Sequence, residues 1–241
     1  MNTIVIIPCH NEQQYIGSLV GELRRKGHKV IVSDDCSTDH TELTANNAGA
    51  EVVGCPVTSR HGYGATIHRG VTVALLRYGV PDIIVFMDGD GQHSPDDIED
   101  MLKPILEDRA DVVLGSRLGE HDKRPLYRRL SNSFGTWVAN VGAQQKLSDA
   151  ITGYWAIRAK SLPAITERGW GYSFENLMKC RSRKLRITSV PIEAIWHTKS
   201  GENSTENPLV LGLIVLWKII KWRYLCEIAQ LNKENKHNGR K

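Results

Sequence analysis

Asp88, Asp90, Gln92 and His93 follow directly on the apolar run Ile83-Ile84-Val85-Phe86-Met87. Two carboxylates at i, i+2 with an amide beside them form a set of hard oxygen donors. Such a set suits Mg²⁺ or Mn²⁺, which completes its shell with water and substrate phosphates. Gly89 and Gly91 let the backbone turn so that both carboxylates converge. Taken alone, Asp-x-Asp also reads as a polar turn in which an aspartate caps a helix, so the neighbouring segments decide between the two.

Those neighbours repeat one arrangement. Thr3 to Ile7 is a compact apolar strand running into Pro8-Cys9-His10-Asn11-Glu12. Lys29 to Ser33 is a second strand, ending in Asp34-Asp35. Asp82 to Met87 is a third, and Ala110 to Leu114 a fourth, running into Gly115-Ser116-Arg117. Open α/β sheets bind ligands beyond the carboxyl ends of their strands, so these polar clusters are expected to face one cleft. Helices alternate with the strands. Tyr15, Ile16, Leu19, Val20 and Leu23 recur at helical spacing, with Asn11 as the expected cap. A helix follows at about 40–48, and a short strand at Glu51 to Val53. A glycine turn at Gly62 and Gly64 opens a helix to about Arg77; it is a candidate phosphate-facing turn, although taken alone the two glycines read as plain turn residues. Ser94 caps a helix to Glu107, with Asp96 and Asp97 in its first turn. The alternation predicts an α/β fold with a mostly parallel central sheet flanked by helices. A strand within 149–158, a helix near 174–183 and a strand near 186–192 complete this part.

The 241 residues suffice for one large α/β domain with a tail. The formal charge of +4 and a pI near 8.8 do not point to nucleic acid. The five cysteines are scattered, without a CxxC pair or zinc spacing, which predicts reduced thiols in a cytosolic compartment. No stretch is apolar enough to span a bilayer. Leu209 to Leu231 reads as one long helix, apolar in its first half and mixed with Lys218, Lys221 and Arg223 in its second. An in-plane membrane anchor fits this pattern; docking on the domain or on a second subunit is the alternative, and oligomer formation stays open. The expected division is a domain at 1–200, then a linker, interface helix and basic tail at 201–241.

These segments together resemble glycosyltransferase family 2 with its GT-A fold, in particular the dolichyl-phosphate mannosyltransferase and polyprenyl-phosphate glycosyltransferase branch. Pro8 to Glu12 is similar to the family's P-x-x-N-E, and Val32 to Thr41 to its V-D-D-x-S-x-D-x-T after one offset. Gly62, Gly64 and Gly70 follow its glycine motif. Met87 to Pro95 matches M-D-x-D-x-Q-H-x-P. Gly115 to Arg117 matches G-S-R, and Ser148 to Tyr154 matches S-D-x-x-x-G-[FY]. The likeness covers about residues 3–200.

The resemblance implies a nucleotide-sugar site lined by Pro8, Asn11, Glu12, Asp34, Asp35, Gly64, Asp88 and Gly89. It implies that Asp88, Asp90 and Gln92 hold Mg²⁺ or Mn²⁺. Arg117, Arg128, Arg129 and Ser131 would bind an acceptor phosphate. The family's arginine near the end of the domain is missing here; Lys199 or His197 would stand in for it, with a cation less suited to bidentate binding. Asp90, Arg117 and Asp149 would carry the catalytic roles. The implied reaction is inverting transfer of a sugar from a nucleotide-diphosphate donor to a polyprenyl phosphate, by an enzyme peripheral on the cytoplasmic face of a membrane. A phosphate monoester is largely ionised at neutral pH and needs positioning more than deprotonation. A hydroxyl acceptor would instead need a base, Asp149 or Glu175. A nucleotidyltransferase, or a nucleotide-binding membrane protein without turnover, would use the same acids differently.

Overall fold

Alternation of buried side chains along the strands builds two cores, one on each face of a seven-stranded sheet. The computed structural model describes residues 1–55, 60–117, 126–169, 171–193, 195, 216–218, 220–226 and 228, with backbone alone for Tyr127 and Arg128. The strands are β1 (Thr3–Cys9), β2 (Lys29–Asp34), β3 (Glu51–Val53), β4 (Ile83–Phe86), β5 (Val112–Ser116), β6 (Trp155–Arg158) and β7 (Ile187–Pro191). The helices are α1 (Ile16–Arg25), α2 (Thr41–Asn47), α3 (Tyr63–Tyr78), α4 (Ile98–Leu106), α5 (Leu126–Asn140) and α6 (Tyr172–Ser182). Ile4, Ile6, Ile84, Phe86, Val112 and Leu114 pack with α3 and α6 residues on one face. Val5, Ile7, Val30, Val32, Val85 and Val113 pack with α1 and α4 residues on the other. Strands buried on both faces read as continuous apolar runs, as β1 and β4 do.

The sheet order is β3-β2-β1-β4-β6-β5-β7. Every pairing is parallel except those of β6, which runs against both β4 and β5. The consequence is positional. The carboxyl ends of β1, β2, β4 and β5 share one edge, and the reversed β6 is entered from that same edge. Residues 149–154 therefore arrive beside residues 8–12, 34–35, 88–90 and 117. This is the GT-A arrangement expected from the sequence.

Three local expectations are corrected. Asn11 does not cap α1. With φ at 58°, its amide oxygen accepts from the Thr38 backbone N–H at 2.8 Å and so ties the end of β1 to the loop after β2. The expected helix from Ser94 begins as a 3₁₀ turn at Pro95–Asp97 before α4, although Ser94 does accept from Asp96 N as a cap should. Cys36 and Cys55 are disulfide-bonded, whereas Cys9, Cys180 and Cys226 are not in a disulfide. Sequence spacing missed this pair because β2 and β3 are neighbours only through the sheet.

Of the expected 209–231 helix, residues 216–218, 220–226 and 228 are helical; its first part lies outside the described residues. Among the described residues no helix is long and apolar enough to cross a membrane.

Candidate active site

The β1 end is laced to the β2 loop. His10 Nδ1 donates to the Asp35 carbonyl at 2.9 Å, Asn11 N to Ser37 Oγ at 2.9 Å, and Glu12 N to Thr41 Oγ1 at 2.8 Å. Asp34 and Asp35 are both buried and both satisfied internally. Asp34 accepts from the Ser37 backbone N–H at 2.7 Å and from its hydroxyl. Asp35 accepts from His61 N at 2.8 Å, Gly62 N at 3.2 Å and Arg60 Nε at 3.4 Å. Burial alone would raise the Asp35 pKa; the His61 and Gly62 amides and Arg60 outweigh it and hold the carboxyl below its usual range.

This changes the reading of the glycine turn. The amides entering α3 face the Asp35 carboxylate, and Ala65 N donates to the Arg168 carbonyl at 2.9 Å, so the turn does not present them to a phosphate. Gly64 is buried, and a Cβ there would lie 2.1 Å from the Glu167 carbonyl oxygen. Its need for glycine comes from backbone packing.

At the β4 end, Asp88 is gripped from several sides. The Tyr63 hydroxyl donates to Oδ1 at 2.7 Å, and His93 Nε2 lies 3.5 Å from Oδ2. Burial pushes the Asp88 pKa up, but His93, Tyr63 and the Arg117 charge bring it below the ordinary value. Burial and the Asp88 charge together push the Tyr63 hydroxyl well up. Asp90 Oδ1 accepts from the Gln92 backbone N–H at 3.0 Å, closing the turn. Gly89 is buried against Cys9 and Ile7, where a Cβ would meet Cys9 Cβ at 3.0 Å.

Glu12 completes the acidic group. Burial, then the charges of Asp90, Asp39 and Asp88, push its carboxyl up to about 7. Burial is the larger part of that shift, and the neighbouring carboxylates add the part that a cation would relieve. The chemistry of the side chains gathered here fits a hard divalent ion, for which Asp88, Asp90 and Gln92 would offer oxygens. Among the described residues, the tight cluster of three ligand-type side chains is Asp35, Cys36 and Cys55. The disulfide occupies both of its sulfurs, so it is not a metal site.

At the β5 end, Arg117 Nε donates to Asp149 Oδ2 at 2.9 Å, and its Nη2 donates to the Ile151 carbonyl. Asp149 is fully buried and also accepts from Ile151 N at 3.0 Å. Glu175 is likewise committed, to Thr166 N at 2.9 Å, Glu167 N at 2.8 Å and Lys179 Nζ at 2.5 Å. Arg129 and Ser131 lie exposed on α5. The Arg128 side chain, His197 and Lys199 lie outside the described residues. A cavity of about 530 Å³ is lined by Trp137, Asn140, Val141, Lys146 and Ser148 among others; none of the expected site residues lines it.

Gly153 stands in the S-D-x-x-x-G-[FY] match, which gives no hint of its approach to Asp88, and Tyr63 stands in no motif. Tyr63 sits between two turn glycines and carries no pattern of its own. Its link to Asp88 spans 25 residues and two layers of the fold.

The comparisons agree with this geometry. The family model described as glycosyl transferase family 2 matches residues 4–166. The undecaprenyl-phosphate mannosyltransferase of Micrococcus luteus is 30% identical over 238 residues, covering 92% of this chain and 94% of that protein. The UDP-N-acetylglucosamine–dolichyl-phosphate N-acetylglucosaminyltransferase of Methanococcus voltae is 27% identical over 239 residues, covering 90% and 94%. Among solved structures, glucosyl-3-phosphoglycerate synthase from Mycobacterium tuberculosis, in complex with Mn²⁺, UDP and glucosyl-3-phosphoglycerate, superposes with a TM-score of 0.65. That match has 22% identity and covers 93% of this chain and 79% of that one; it speaks for the fold. By family model, motif order and strand-end geometry together, the chain belongs to glycosyltransferase family 2.

Proposed function

We propose that the protein is a divalent-metal-dependent, inverting glycosyltransferase that moves a sugar from a nucleotide diphosphate to a polyprenyl phosphate at a membrane surface. The observation that carries the acceptor reading is the state of the two candidate bases. Asp149 is buried against Arg117, and Glu175 is bound by Thr166, Glu167 and Lys179. Neither offers an open lone pair to a hydroxyl acceptor. A lipid phosphate brings its own charge and needs no such base.

In this reading Asp34, Asp35, Asn11 and Glu12 shape the donor pocket, and Asp88, Asp90 and Gln92 hold Mg²⁺ or Mn²⁺. The ion supplies Lewis-acid neutralisation of charge on the departing diphosphate. Arg117 stands at the mouth of β5, with Asp149 fixing its planar fork, and Arg129 and Ser131 line the approach along α5. The acceptor phosphate oxygen attacks the anomeric carbon from the face opposite the leaving diphosphate, which inverts that centre.

The membrane reading rests on α5 as well as on the C-terminal helix. Leu126, Leu130, Phe134, Trp137 and Val141 recur on one helical stripe and are all exposed, with Phe134 and Trp137 stacked at 5.9 Å. Trp217, Ile220 and Tyr224 are exposed on the C-terminal helix, and Arg223 Nη1 from that helix donates to the Val141 carbonyl. Residues 126–148 carry Arg128, Arg129 and Lys146 and no acid. An apolar stripe flanked by cations and aromatics suits an anionic lipid surface, and the relatives' names place their acceptors in lipid. The cytoplasmic face is part of the proposal through the nucleotide-sugar donor alone, since the Cys36–Cys55 bond removes the reduced-thiol argument for that compartment.

The test is transfer by the purified full chain with Mn²⁺ or Mg²⁺ from a panel of labelled nucleotide sugars. It compares a polyprenyl phosphate with the matching free polyprenol. Label on the phosphate alone supports the reading; label on the polyprenol alone overturns the acceptor assignment.

A further inference from the structure

The grip on Asp88 comes from an element that the metal motif does not contain. Tyr63 is the first residue of α3, and its hydroxyl is delivered to Oδ1 from the helical layer. The start of that helix is fixed from both sides, by the Asp35 carboxylate on the His61 and Gly62 amides and by the Arg168 carbonyl on Ala65 N. The Tyr63 ring packs on Tyr172 with centroids 6.1 Å apart, and Tyr172 in turn meets Phe86 of β4 edge-on at 6.0 Å. On the other oxygen of Asp88, a Cβ at Gly153 would lie 2.0 Å from Oδ2, so the approach to β6 closes that side.

We propose that Tyr63 is a positioning residue for the metal centre: its hydroxyl holds one Asp88 oxygen against α3 so that the carboxylate keeps one orientation toward the cation. The proposal rests on the assignment of Asp88 as a metal ligand. An aspartate at the end of a strand, followed by Gly89, has rotamers to lose when it ligates an ion. A neutral donor on one oxygen removes those rotamers beforehand without competing for the charge. Hydrogen bonds from such outer partners tune a ligand's orientation and basicity, and their loss costs about 10–100-fold in metal affinity. Tyrosine suits the place because its hydroxyl reaches 2.7 Å from Oδ1 while its ring stays in the aromatic stack.

The experiment is Mn²⁺ binding by the full-length protein, read by the EPR signal of the free ion, with and without UDP or GDP and in the absence of turnover. Tyr63→Phe keeps the ring and removes the hydroxyl. About a tenfold weaker Mn²⁺ affinity, with an unchanged melting temperature, is the expected result. Transfer activity at limiting Mn²⁺ should fall and return at saturating Mn²⁺, which general structural damage would not do. Gly153→Ala, acting from the opposite side of the carboxylate, should weaken Mn²⁺ in the same direction. Equal Mn²⁺ affinity in wild type and Tyr63→Phe overturns the positioning role and leaves the metal assignment standing. Absence of Mn²⁺ binding in wild type, with and without nucleotide, overturns both.

Discussion

Arg117 and Asp149, 32 residues apart in the chain, form a buried ion pair at the mouth of β5, with Nε 2.9 Å from Oδ2. The Asp149 side chain is wholly enclosed and that of Arg117 is 13% exposed. Removing one partner of a buried pair strands the other charge, which costs about 3–5 kcal/mol. Arg117→Ala should therefore destabilise the fold by about that amount in urea titrations. The double variant Arg117→Ala with Asp149→Asn should recover part of the loss without recovering transfer. A double variant as unstable as the single one would mean that the arginine's packing, not its charge, matters.

Glu12 gives the metal-free protein a distinctive pH dependence. Its carboxyl is raised from 4.5 to about 7 in the fold, so the folded state holds this proton more tightly than the unfolded chain. Stability then falls as pH rises from about 4.5 to about 7 and levels off above. Binding of a cation displaces the same proton, so Mn²⁺ affinity should climb over that window. Glu12→Gln should flatten both slopes. Melting curves and Mn²⁺ titrations from pH 4.5 to 8 check this, and an unchanged slope in the variant would assign the proton to another group.

The exposed stripe of α5 predicts vesicle binding that depends on aromatic residues and on charge. A large apolar side chain moved from water into lipid is worth about 1.5–3 kcal/mol when fully buried. Phe134→Ala with Trp137→Ala should lower partitioning onto anionic vesicles by at least about tenfold and leave the melting temperature unchanged, since both side chains are more than half exposed. Cosedimentation with vesicles of phosphatidylglycerol, against phosphatidylcholine alone, reads both effects. Undiminished binding would shift the contact to the C-terminal helix alone.

How much of this was visible in the sequence depends on separation along the chain. The strands were legible because both faces are buried, which leaves β1 and β4 as uninterrupted apolar runs. Their polar carboxyl ends followed from the same pattern, and Asp88 and Asp90 stand where the sequence placed them. The interactions that fix those residues were hidden. Tyr63 meets Asp88, and Cys36 meets Cys55, only after the sheet has set its order, and no periodicity encodes a pairing across layers. The glycine turn is ambiguous in sequence because close backbone packing and phosphate binding ask for the same residue; the Glu167 carbonyl against Gly64 supplies a packing reason for it. For Asp149 the sequence leaves a turn residue and a base for a hydroxyl acceptor both open, because it does not reveal that β6 runs backwards and delivers this carboxylate to Arg117.

Glu167 joins that same turn to the C-terminal helix. Its carboxylate accepts from Lys218 Nζ at 2.7 Å and Trp222 Nε1 at 3.4 Å, with Lys221 Nζ at 3.9 Å, while Trp222 is buried in the core. Burial would raise the Glu167 pKa, but Lys218, Trp222 and Lys221 outweigh it and lower it. The folded value is depressed, so this tether is present above the unfolded value and is lost as the solution is acidified through the folded one. Glu167→Gln removes the charge and keeps the shape; a charge-assisted bond of this kind is worth about 1.5–3 kcal/mol. Hydrogen exchange across residues 216–228 should accelerate by about tenfold or more in the variant, while the β1 and β4 amides exchange as before. Exchange that is unchanged across the helix would assign its docking to the buried Trp222 ring, and the ion pair would then be incidental to it.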